Sequence, residues 1–319
     1  MIKMELPKVS IVITTYNEEK DVGRLLNSII KINYPKNKLE TIVVDDGSTD
    51  KTSEIVEKFP VKFIMGPHEG MGNARNLGWK GSNGDLVVFI DSDMILHKNY
   101  IKEIVNKFLE NENVAGVEGN EKLYNKNKFI AQMLHLRHEL GWSQSKQRIP
   151  RAIKKNVLKK LNGVDPEYGY YIDWELFHRM HKSGYKIQYA PKAILWHKQI
   201  EEVKELVGQS RWMGRSLVFS LRKHKFEGIK RIGFVFLLAF FPIYILFLFL
   251  NKPFNMVGLL GILTFFIVEF KRTIKMFFIT KNIKSFITPF FDVISMTFVV
   301  YGIIDKSINL NIKNKTGRI

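Results

Sequence analysis

The chain has 319 residues, of which 45% are hydrophobic, and carries a formal net charge of +18. This length and apolar share are enough to bury a sizeable core, which excludes a disordered chain. Because the sequence contains no cysteine, it also excludes disulfide frameworks, thiolate zinc sites and cysteine nucleophiles. The basic excess predicts anionic partners, which at this stage include nucleic acid, phospholipid and phosphorylated small molecules.

Four units, each an apolar run followed by a helical pattern, occupy the first 110 residues. Such alternation predicts a parallel, doubly wound sheet covered by helices. In sheets of this kind the ligand lies outside the carboxyl ends of the strands. The predicted strand and helix pairs are Val9–Thr14 with Glu18–Ile32, Glu40–Val44 with Thr52–Lys58, Val61–Met65 with Met71–Gly81, and Leu86–Ile90 with Asn99–Leu109.

Polar clusters follow three of these strands, at residues 14–18, 45–48 and 91–93. Alternate residues of an extended segment point the same way, so Asp91 and Asp93 are expected to converge on one cation. Their oxygen ligands suit Mg²⁺ or Mn²⁺, which typically bridge substrate phosphates. In isolation the D-x-D pattern is weak, because aspartate after a strand is also a common turn former.

Several longer motifs stand in a fixed order along the chain: I-V-I-T-T-Y-N-E-E, V-V-D-D-G-S-T-D, G-x-G-N-A-R-N-x-G and V-F-I-D-S-D. Elements around Gly163, Asp173, Gly184 and Trp196-His197 follow them. The set resembles the family 2 glycosyltransferases of the GT-A fold, which include polyprenyl-phosphate sugar synthases and processive polysaccharide synthases. The resemblance covers about 200 residues. It implies an α/β fold with a doubly wound, mostly parallel sheet.

The resemblance implies a nucleotide-sugar site at the first two loops. The residues that would contact the base and ribose are Thr14, Tyr16, Glu18, Asp45 and Asp46. From the residues alone, Asp45 and Asp46 are better explained as turn formers before Gly47 and as neighbours of a helix start than as ligands of a nucleotide. Thr14 stands where the family usually has proline, a change that would loosen the turn.

Further along, the resemblance implies the diphosphate, metal and proton-transfer groups. Arg75 would lie beside the base or diphosphate, and Asp91, Ser92 and Asp93 would hold the ribose and the metal-bound diphosphate. His197 would be a further metal or phosphate ligand, which makes Asp91, Asp93 and His197 the predicted metal set for Mg²⁺ or Mn²⁺.

Asp173 stands at the family's general base, a role that an inverting transfer requires of a carboxylate opposite the leaving diphosphate. Ile172 replaces the glutamate that normally precedes this base. If the acceptor were already an ionised phosphate, no base would be required. Asp173 is also explained as an acid in the first turn of a helix, where the helix dipole favours it.

The last third of the chain is predicted to cross a membrane. Its apolar segments at about 232–250, 253–270 and 285–304 are close to the length that spans a bilayer. Asp292 weakens the third span, because a charge at mid-membrane costs about 3 kcal/mol unless it is paired or faces protein. An interfacial or re-entrant helix is the alternative there. Basic residues flanking the spans predict a multi-pass membrane protein with its N-terminal domain, residues 1–221, in the cytoplasm and residues 222–319 in the membrane.

The positive charge is concentrated in the second half. Residues 1–145 have a net charge of −1, residues 146–231 of +12 and residues 232–319 of +7. A basic stretch between residues 146 and 160 is expected to attract anionic lipid or a phosphorylated lipid acceptor, and with membrane spans present nucleic-acid binding is not expected. Near the membrane, Gln209, Arg211 and Trp212 resemble the Q-x-x-R-W element of processive synthases, one residue short. A membrane-proximal amphipathic helix explains them equally well.

These observations predict an inverting, metal-dependent glycosyltransferase at the cytoplasmic membrane face. The donor would be a nucleotide-sugar and the acceptor a polyprenyl phosphate or another lipid-linked glycan, with Trp174 among the residues on the acceptor side. The aromatic cluster around Trp174 could equally be core. The alternatives are a processive cell-envelope polysaccharide synthase and a membrane scaffold that binds nucleotide or sugar without transferring it.

Overall fold

The computed structural model describes residues 5–144, 149–223 and 235–316. The chain divides into two compact units. The first comprises Met1–Tyr124 with Gln147–Lys198, and the second Asn125–Lys146 with Gln199–Ile319. This division differs from the single predicted boundary after residue 221. The difference arises because the helices on either side of residues 147–198 pack with the C-terminal helices.

The first unit contains all eight strands and most of the short helices. The four predicted strand and helix pairs are confirmed, with the first helix starting later because residues 18–21 form a turn. In chain order the elements of this unit are β1 Val9–Thr15, α1 Val22–Ile30, β2 Leu39–Asp45, α2 Thr52–Val56, β3 Lys62–Met65, α3 Met71–Lys80, β4 Leu86–Asp91, β5 Met94–Leu96, α4 Tyr100–Glu110, β6 Val114–Leu123, β7 Ala152–Lys154, α6 Lys155–Lys160, α7 Ile172–Lys182 and β8 Lys186–His197.

The sheet has the order β3-β2-β1-β4-β7-β6-β8-β5. Strands β3, β2, β1 and β4 run parallel, as do β6 and β8, whereas β7 is antiparallel to both of its neighbours and β5 to β8. The predicted mostly parallel α/β sheet is thus confirmed. The register sets Thr14 beside Asp91 and Thr15 beside Asp45. The carboxyl ends of β1, β2 and β4 therefore meet at one edge.

Both faces of the sheet are covered because successive side chains of a strand point to opposite sides. Ile11 and Ile13 of β1 join the core beneath α1, α2 and α4, and Val12 joins the core beneath α3, α6 and α7. At Gly78 of α3, a Cβ atom would overlap the side chain of Val12. The glycine at the end of the G-x-G-N-A-R-N-x-G motif therefore allows α3 to lie directly on β1.

The second unit is helical. Its elements are α5 Phe129–Gln144, α8 Val203–Lys223, α9 Phe241–Phe247, α10 Phe254–Thr280 and α11 Thr288–Thr316. Helices α8 and α11 pack closely, and α5 packs on α10.

Two helical stretches of this unit, Phe254–Thr280 and Ile283–Ser307, are long and apolar enough to cross a membrane by length and composition. Only 17% and 39% of their most apolar windows are buried within the structure, so many large apolar side chains face outward. They coincide with the second and third predicted spans. Of the first predicted span, residues 232–234 lie outside the described residues, and the remainder is divided between helical residues 235–239 and α9.

Asp292, the acid that weakened the third predicted span, is buried and paired. Its carboxylate lies 3.0 Å from Nη1 of Arg272 and 2.7 Å from Nε of Arg137. Arg272 also pairs with Glu269, which is buried on the same helix. The four side chains form a cluster of two positive and two negative charges, which removes the cost of an isolated carboxylate in an apolar unit.

Candidate active site

The polar loops after β1, β2 and β4 meet at the edge where these parallel strands end. The buried residue Arg75, on the second turn of α3, reaches this edge. Its Nη2 donates to Oδ1 of Asp91 at 2.8 Å and its Nη1 donates to Oδ1 of Asp173 at 2.5 Å. One guanidinium therefore joins the predicted metal ligand on β4 to the predicted base on α7. Within the described residues both of its hydrogen bonds go to protein carboxylates, not to the open face expected for a base or diphosphate contact.

A second arginine holds Asp91 from the other side. Nη1 of Arg151 donates to Oδ2 of Asp91 at 3.0 Å, and Nη2 donates to Oε2 of Glu121 at 3.0 Å. The two guanidinium groups thus engage both oxygens of Asp91. Although burial alone would raise it, the charges of Arg151 and Arg75 hold the pKa of Asp91 below its usual range.

His197 connects Glu121 to Asp93. Its Nδ1 lies 2.7 Å from Oε1 of Glu121 and its Nε2 lies 3.3 Å from Oδ2 of Asp93. Burial would lower the pKa of His197, but these two carboxylates raise it well above its ordinary value. Seven side chains of alternating charge therefore form one continuous chain across the strand ends, in the order Asp173, Arg75, Asp91, Arg151, Glu121, His197 and Asp93.

The predicted metal set is only partly assembled. Among residues 5–144, 149–223 and 235–316, no group of three or more histidine or acidic side chains is arranged to hold a metal ion. Asp91 ends β4 and residues 92–93 form a turn, so the alternation expected of an extended segment does not apply. Asp91 is bound to the two arginines and Asp93 lies against His197.

Asp93 and His197 nevertheless fit a divalent cation. Oδ1 of Asp93 is buried, and within the described part of the chain it has no hydrogen-bond partner. A carboxylate oxygen and an imidazole nitrogen are ligand types that Mn²⁺ accepts. A cation at this point would compensate a buried carboxylate oxygen that the protein leaves unsatisfied.

Glu18, on the first loop, lies beside this carboxylate. Burial and then the charge of Asp93 raise the pKa of Glu18 to about 7, in spite of a hydrogen bond with Ser92. Ser92 itself is buried. The first loop and the D-x-D turn are therefore in contact, as their positions at the ends of neighbouring strands predict.

The carboxylates of Asp45 and Asp46 accept hydrogen bonds from residues of their own and neighbouring loops. Asp45 accepts hydrogen bonds from Thr15, Ser48 and Ser53, whose Oγ lies 2.6 Å away. Asp46 accepts from the backbone N–H groups of residues 69 and 70, at 3.0 and 2.8 Å, just before α3 begins. This geometry matches the turn-forming explanation of the pair. Any contact with a nucleotide stays a prediction.

An exposed aromatic pair lies above this loop. Tyr16 is 46% exposed, and its ring centroid is 4.7 Å from that of His68, with an angle of 33° between the planes. Nδ1 of His68 lies 2.7 Å from the backbone oxygen of Asp46. Thr14 is half-buried, one residue before the loop begins. These surfaces suit stacking of a flat ring against Tyr16.

The predicted acceptor-side residues are divided between the units. Trp174 is on α7 next to Asp173, where its ring stacks on that of His178 at 5.3 Å. Gln209, Arg211 and Trp212 are on α8 of the second unit. There the guanidinium of Arg211 lies over the ring of Tyr301 on α11 at 4.7 Å, and Trp212 is 41% exposed.

Within the basic stretch, three side chains have internal partners, whereas Lys159 and Lys160 are exposed. Residues 146 and 148 lie outside the described residues. Arg151 is bound in the site, and the ammonium groups of Lys154 and Lys155 donate to the backbone oxygens of Glu112 and Ser82. Attraction of this stretch to anionic lipid stays a prediction.

Glu121 and His68 were not predicted from the sequence to belong to the site. Arg151 was noted only as part of the basic stretch, so its contact with Asp91 was not predicted either. Glu121 and Arg151 belong to no recognised motif, and they meet only because β7 and β6 lie between β4 and β8. His68 precedes the glycine motif by two residues, and its proximity to Tyr16 follows from the ends of β1 and β3 meeting at the same edge.

Comparison with known proteins finds relatives among glycosyltransferases. Residues 10–164 match the model of glycosyl transferase family 2. The chain is 32% identical over 270 residues to the probable glycosyltransferase YdaM of Bacillus subtilis, covering 77% of this chain and 64% of that protein. It is 26% identical over 208 residues to a poly-beta-1,6-N-acetyl-D-glucosamine synthase of Staphylococcus epidermidis, covering 59% and 49%. The chain spans less than two thirds of the length of these relatives.

Solved structures support the fold. The mannosyltransferase PcManGT from Pyrobaculum calidifontis, in complex with GDP-Man and Mn²⁺, is 15% identical and has a TM-score of 0.57 over 95% of this chain and 88% of that one. S. aureus TarS 1-349 in complex with UDP-GlcNAc is 23% identical, with a TM-score of 0.50 over 66% of each chain. Residues 10–164 therefore form a domain of glycosyl transferase family 2, and the fold is of the GT-A type.

Proposed function

We propose that this chain is an inverting, metal-dependent glycosyltransferase. It takes a nucleotide-sugar donor and transfers the sugar to a lipid-linked acceptor, such as a polyprenyl phosphate, at the cytoplasmic face of the cell membrane. The observation that carries the proposal is the chain of seven charged side chains at the strand ends, which joins a candidate base to a candidate metal site through buried arginines.

The proton-transfer role falls to Asp173. Its side chain is 38% exposed while Arg75 holds one of its oxygens, so the carboxylate is both oriented and accessible. When the lipid-linked acceptor attacks through a hydroxyl group, this carboxylate accepts the hydroxyl proton as the oxygen bonds to the anomeric carbon of the sugar, whereas a polyprenyl phosphate attacks through an oxygen that is already ionised. The bond from that carbon to the diphosphate breaks on the opposite face, which inverts the configuration.

The donor side of the site is assigned to the loops. Tyr16 and His68 offer a surface on which a nucleobase can stack, and the N–H groups organised by Asp46 shape the loop beneath it. Asp93 and His197 would hold a Mg²⁺ or Mn²⁺ ion, which when bound neutralises the charge that develops on the departing diphosphate. Mn²⁺ accompanies GDP-Man in the mannosyltransferase of similar fold. Asp91 keeps the two arginines in place beside these groups.

The proposal of a lipid-linked acceptor rests on the helices of the second unit. Two apolar helical stretches with outward-facing side chains support membrane association, and a lipid-linked acceptor is the substrate that this location would deliver. One of the relatives is a poly-beta-1,6-N-acetyl-D-glucosamine synthase, whose name describes a polymeric product. The processive alternative is favoured by the Gln209 to Trp212 segment, which lies on a helix packed against a candidate span.

Release of nucleoside diphosphate by the purified full chain tests the enzymatic proposal. The protein in detergent is given a panel of nucleotide-sugars, with and without Mn²⁺, and with a polyprenyl phosphate added or withheld. We expect turnover on at least one donor that depends on the metal and increases with the lipid. Asp93→Ala is expected to lower the rate by about 10²- to 10³-fold, since it removes a group that stabilises developing charge.

If the wild type released nucleoside diphosphate no faster than Asp93→Ala on every donor, the enzymatic proposal would be wrong. The non-catalytic scaffold would then be the remaining alternative. Product analysis separates the other two possibilities. Addition of a single sugar to the lipid supports the proposed acceptor, whereas a ladder of products supports processive synthesis.

A further inference from the structure

Glu121, on β6, is held on both sides by other members of the site. Its Oε1 lies 2.7 Å from Nδ1 of His197, and its Oε2 accepts from Nη2 of Arg151 at 3.0 Å. The side chain is only 17% exposed. A carboxylate bound through both oxygens cannot rotate without breaking a charged hydrogen bond, so its position is fixed.

The contact with His197 determines which ring nitrogen carries a proton. An ionised carboxylate can only accept a hydrogen bond, so Nδ1 must be the donor. While the ring is protonated Nε2 also carries a proton, and a cation that binds at Nε2 must displace that proton to use the lone pair. That nitrogen lies 3.3 Å from Oδ2 of Asp93, next to the buried Oδ1 that has no hydrogen-bond partner in the described ranges. Nε2 thus faces the place where a carboxylate oxygen of Asp93 has no hydrogen-bond partner in the described ranges.

The strand pairing explains how this contact arises. Strands β6 and β8 are parallel, with Leu123 beside His197 and Glu121 beside Leu195. Glu121 and His197 are thus displaced by two residues on the same face of neighbouring strands, a separation that two long side chains can bridge. Arg151, which precedes β7, extends the connection to Asp91 on β4.

We propose that Glu121 is a positioning residue, which fixes the tautomer and ring orientation of His197 so that Nε2 is available to a divalent cation held with Asp93. Arg151 holds Glu121 in that position. This inference rests on the proposed metal dependence of the enzyme. Carboxylates that orient a metal-binding histidine typically change metal affinity by about 10- to 100-fold when they are replaced.

Mn²⁺ binding without any donor sugar tests the inference independently of turnover. The purified full chain in detergent is titrated with Mn²⁺, and free Mn²⁺ is measured by electron paramagnetic resonance. We expect Glu121→Gln to weaken binding by about 10-fold or more, because a neutral amide orients the ring less strongly and can present its N–H₂ group to the ring instead.

Glu40→Gln is the matched control. Glu40 is a partly buried carboxylate on β2, held by Ser10 and Asn83 near the start of the strand, at the end away from the site. Its replacement removes one charge from the sheet without touching the seven-residue chain. We expect the Mn²⁺ affinity of this variant to equal that of the wild type within about twofold, whereas an equal loss in both variants would mark a general charge or stability effect and overturn the inference.

A double-variant cycle separates positioning from a merely structural role. If Glu121 acts through His197, Glu121→Gln should cause no further loss of Mn²⁺ affinity in a His197→Ala background. If the loss persists at full size there, Glu121 acts in some other way and the inference is wrong. Should Glu121→Gln fail to fold, judged by its thermal unfolding, Arg151→Lys replaces it in the same cycle with a smaller expected loss.

The outcomes distinguish the inference from the function on which it rests. Weaker binding in His197→Ala with unchanged binding in Glu121→Gln overturns the positioning role and leaves the metal site intact. Unchanged Mn²⁺ binding in both Asp93→Ala and His197→Ala overturns the metal site itself, and with it the metal-dependent part of the proposed function.

Discussion

The two units of the protein both bury a cluster of charged side chains, and the clusters differ in completeness. In the first unit, four carboxylates share two arginines and a histidine, and a buried oxygen of Asp93 has no hydrogen-bond partner in the described ranges. In the second unit, two arginines balance two acids. Oδ1 of Asp292 also has no hydrogen-bond partner in the described ranges, but it lies 2.7 Å from Nε of Arg137, whereas no ion pair reaches Oδ1 of Asp93 there.

The difference distinguishes a site from a structural contact. A buried carboxylate oxygen without a partner costs free energy, so it persists where a ligand or a reaction compensates for it. A balanced cluster has no such need, and its members are expected to stabilise the packing of the helices that carry them. Replacing residues in the first cluster should therefore reduce activity more than stability, and in the second cluster stability more than activity.

The largest effect is expected at Asp173. In Asp173→Asn the amide oxygen can still accept the hydrogen bond of Arg75, but the side chain cannot take a proton. With an acceptor that attacks through a hydroxyl group, we expect sugar transfer to fall by about 10²- to 10⁴-fold, the range typical of general base catalysis. Donor binding, measured by displacement of a fluorescent nucleotide, should stay within about twofold of the wild type.

A transfer rate retained within about threefold in Asp173→Asn would contradict the base assignment. In that case the acceptor would be a group that needs no deprotonation, such as an ionised phosphate, and Asp173 would serve to hold Arg75. Loss of donor binding in this variant would instead indicate that Arg75 and its partners organise the donor site.

The next largest effect is expected at Asp292, in stability. Asp292→Ala leaves Arg137 and Arg272 without the carboxylate that they share, and breaking such a buried pair typically costs about 3–5 kcal/mol. We expect a clearly lower midpoint of thermal unfolding in detergent. The turnover rate per folded molecule should be unchanged.

Asp305→Ala is the matched control on the same helix. Asp305 pairs with Arg215, and the arginine side chain is 47% exposed, so the pair is worth about 0–1 kcal/mol. Equal destabilisation by the two replacements would show that burial of the Asp292 cluster does not matter, and a lower rate per folded molecule in Asp292→Ala would assign a functional role to it.

A smaller effect is expected where α8 meets α11. A Cβ atom at Gly302 of α11 would overlap the backbone of Arg211 on α8, so Gly302→Ala must separate the two helices. Such overpacking typically costs about 1–3 kcal/mol. Gly208→Ala on α8 is the control, because nothing lies within 4 Å of its Cβ position and alanine favours the helix by about 1 kcal/mol.

The expected result is a lower unfolding midpoint for Gly302→Ala and an equal or higher midpoint for Gly208→Ala. If Gly302→Ala were as stable as the wild type, the close packing of the two helices would be wrong.

The sequence predicted the strand and helix pairs of the first unit and the loops that carry Thr14, Asp46 and Asp91. These features follow from apolar periodicity and turn chemistry, both of which act between residues close along the chain. The sequence also identified Asp292 as the residue whose environment would decide the third span. It could not say that Arg137, 155 positions earlier, supplies a partner.

The sequence by itself determined the fold class, the family and the strand ends at which the chemistry occurs, because these depend on local patterns in a fixed order. Only the tertiary structure decided that Arg75 and Arg151 are buried between carboxylates, that Glu121 contacts His197, and that Asp91 and Asp93 have different partners. The physical reason is that charged side chains select partners by distance and burial. Both are set by the pairing of strands that are far apart in the chain; Glu121 and His197, for example, are 76 residues apart.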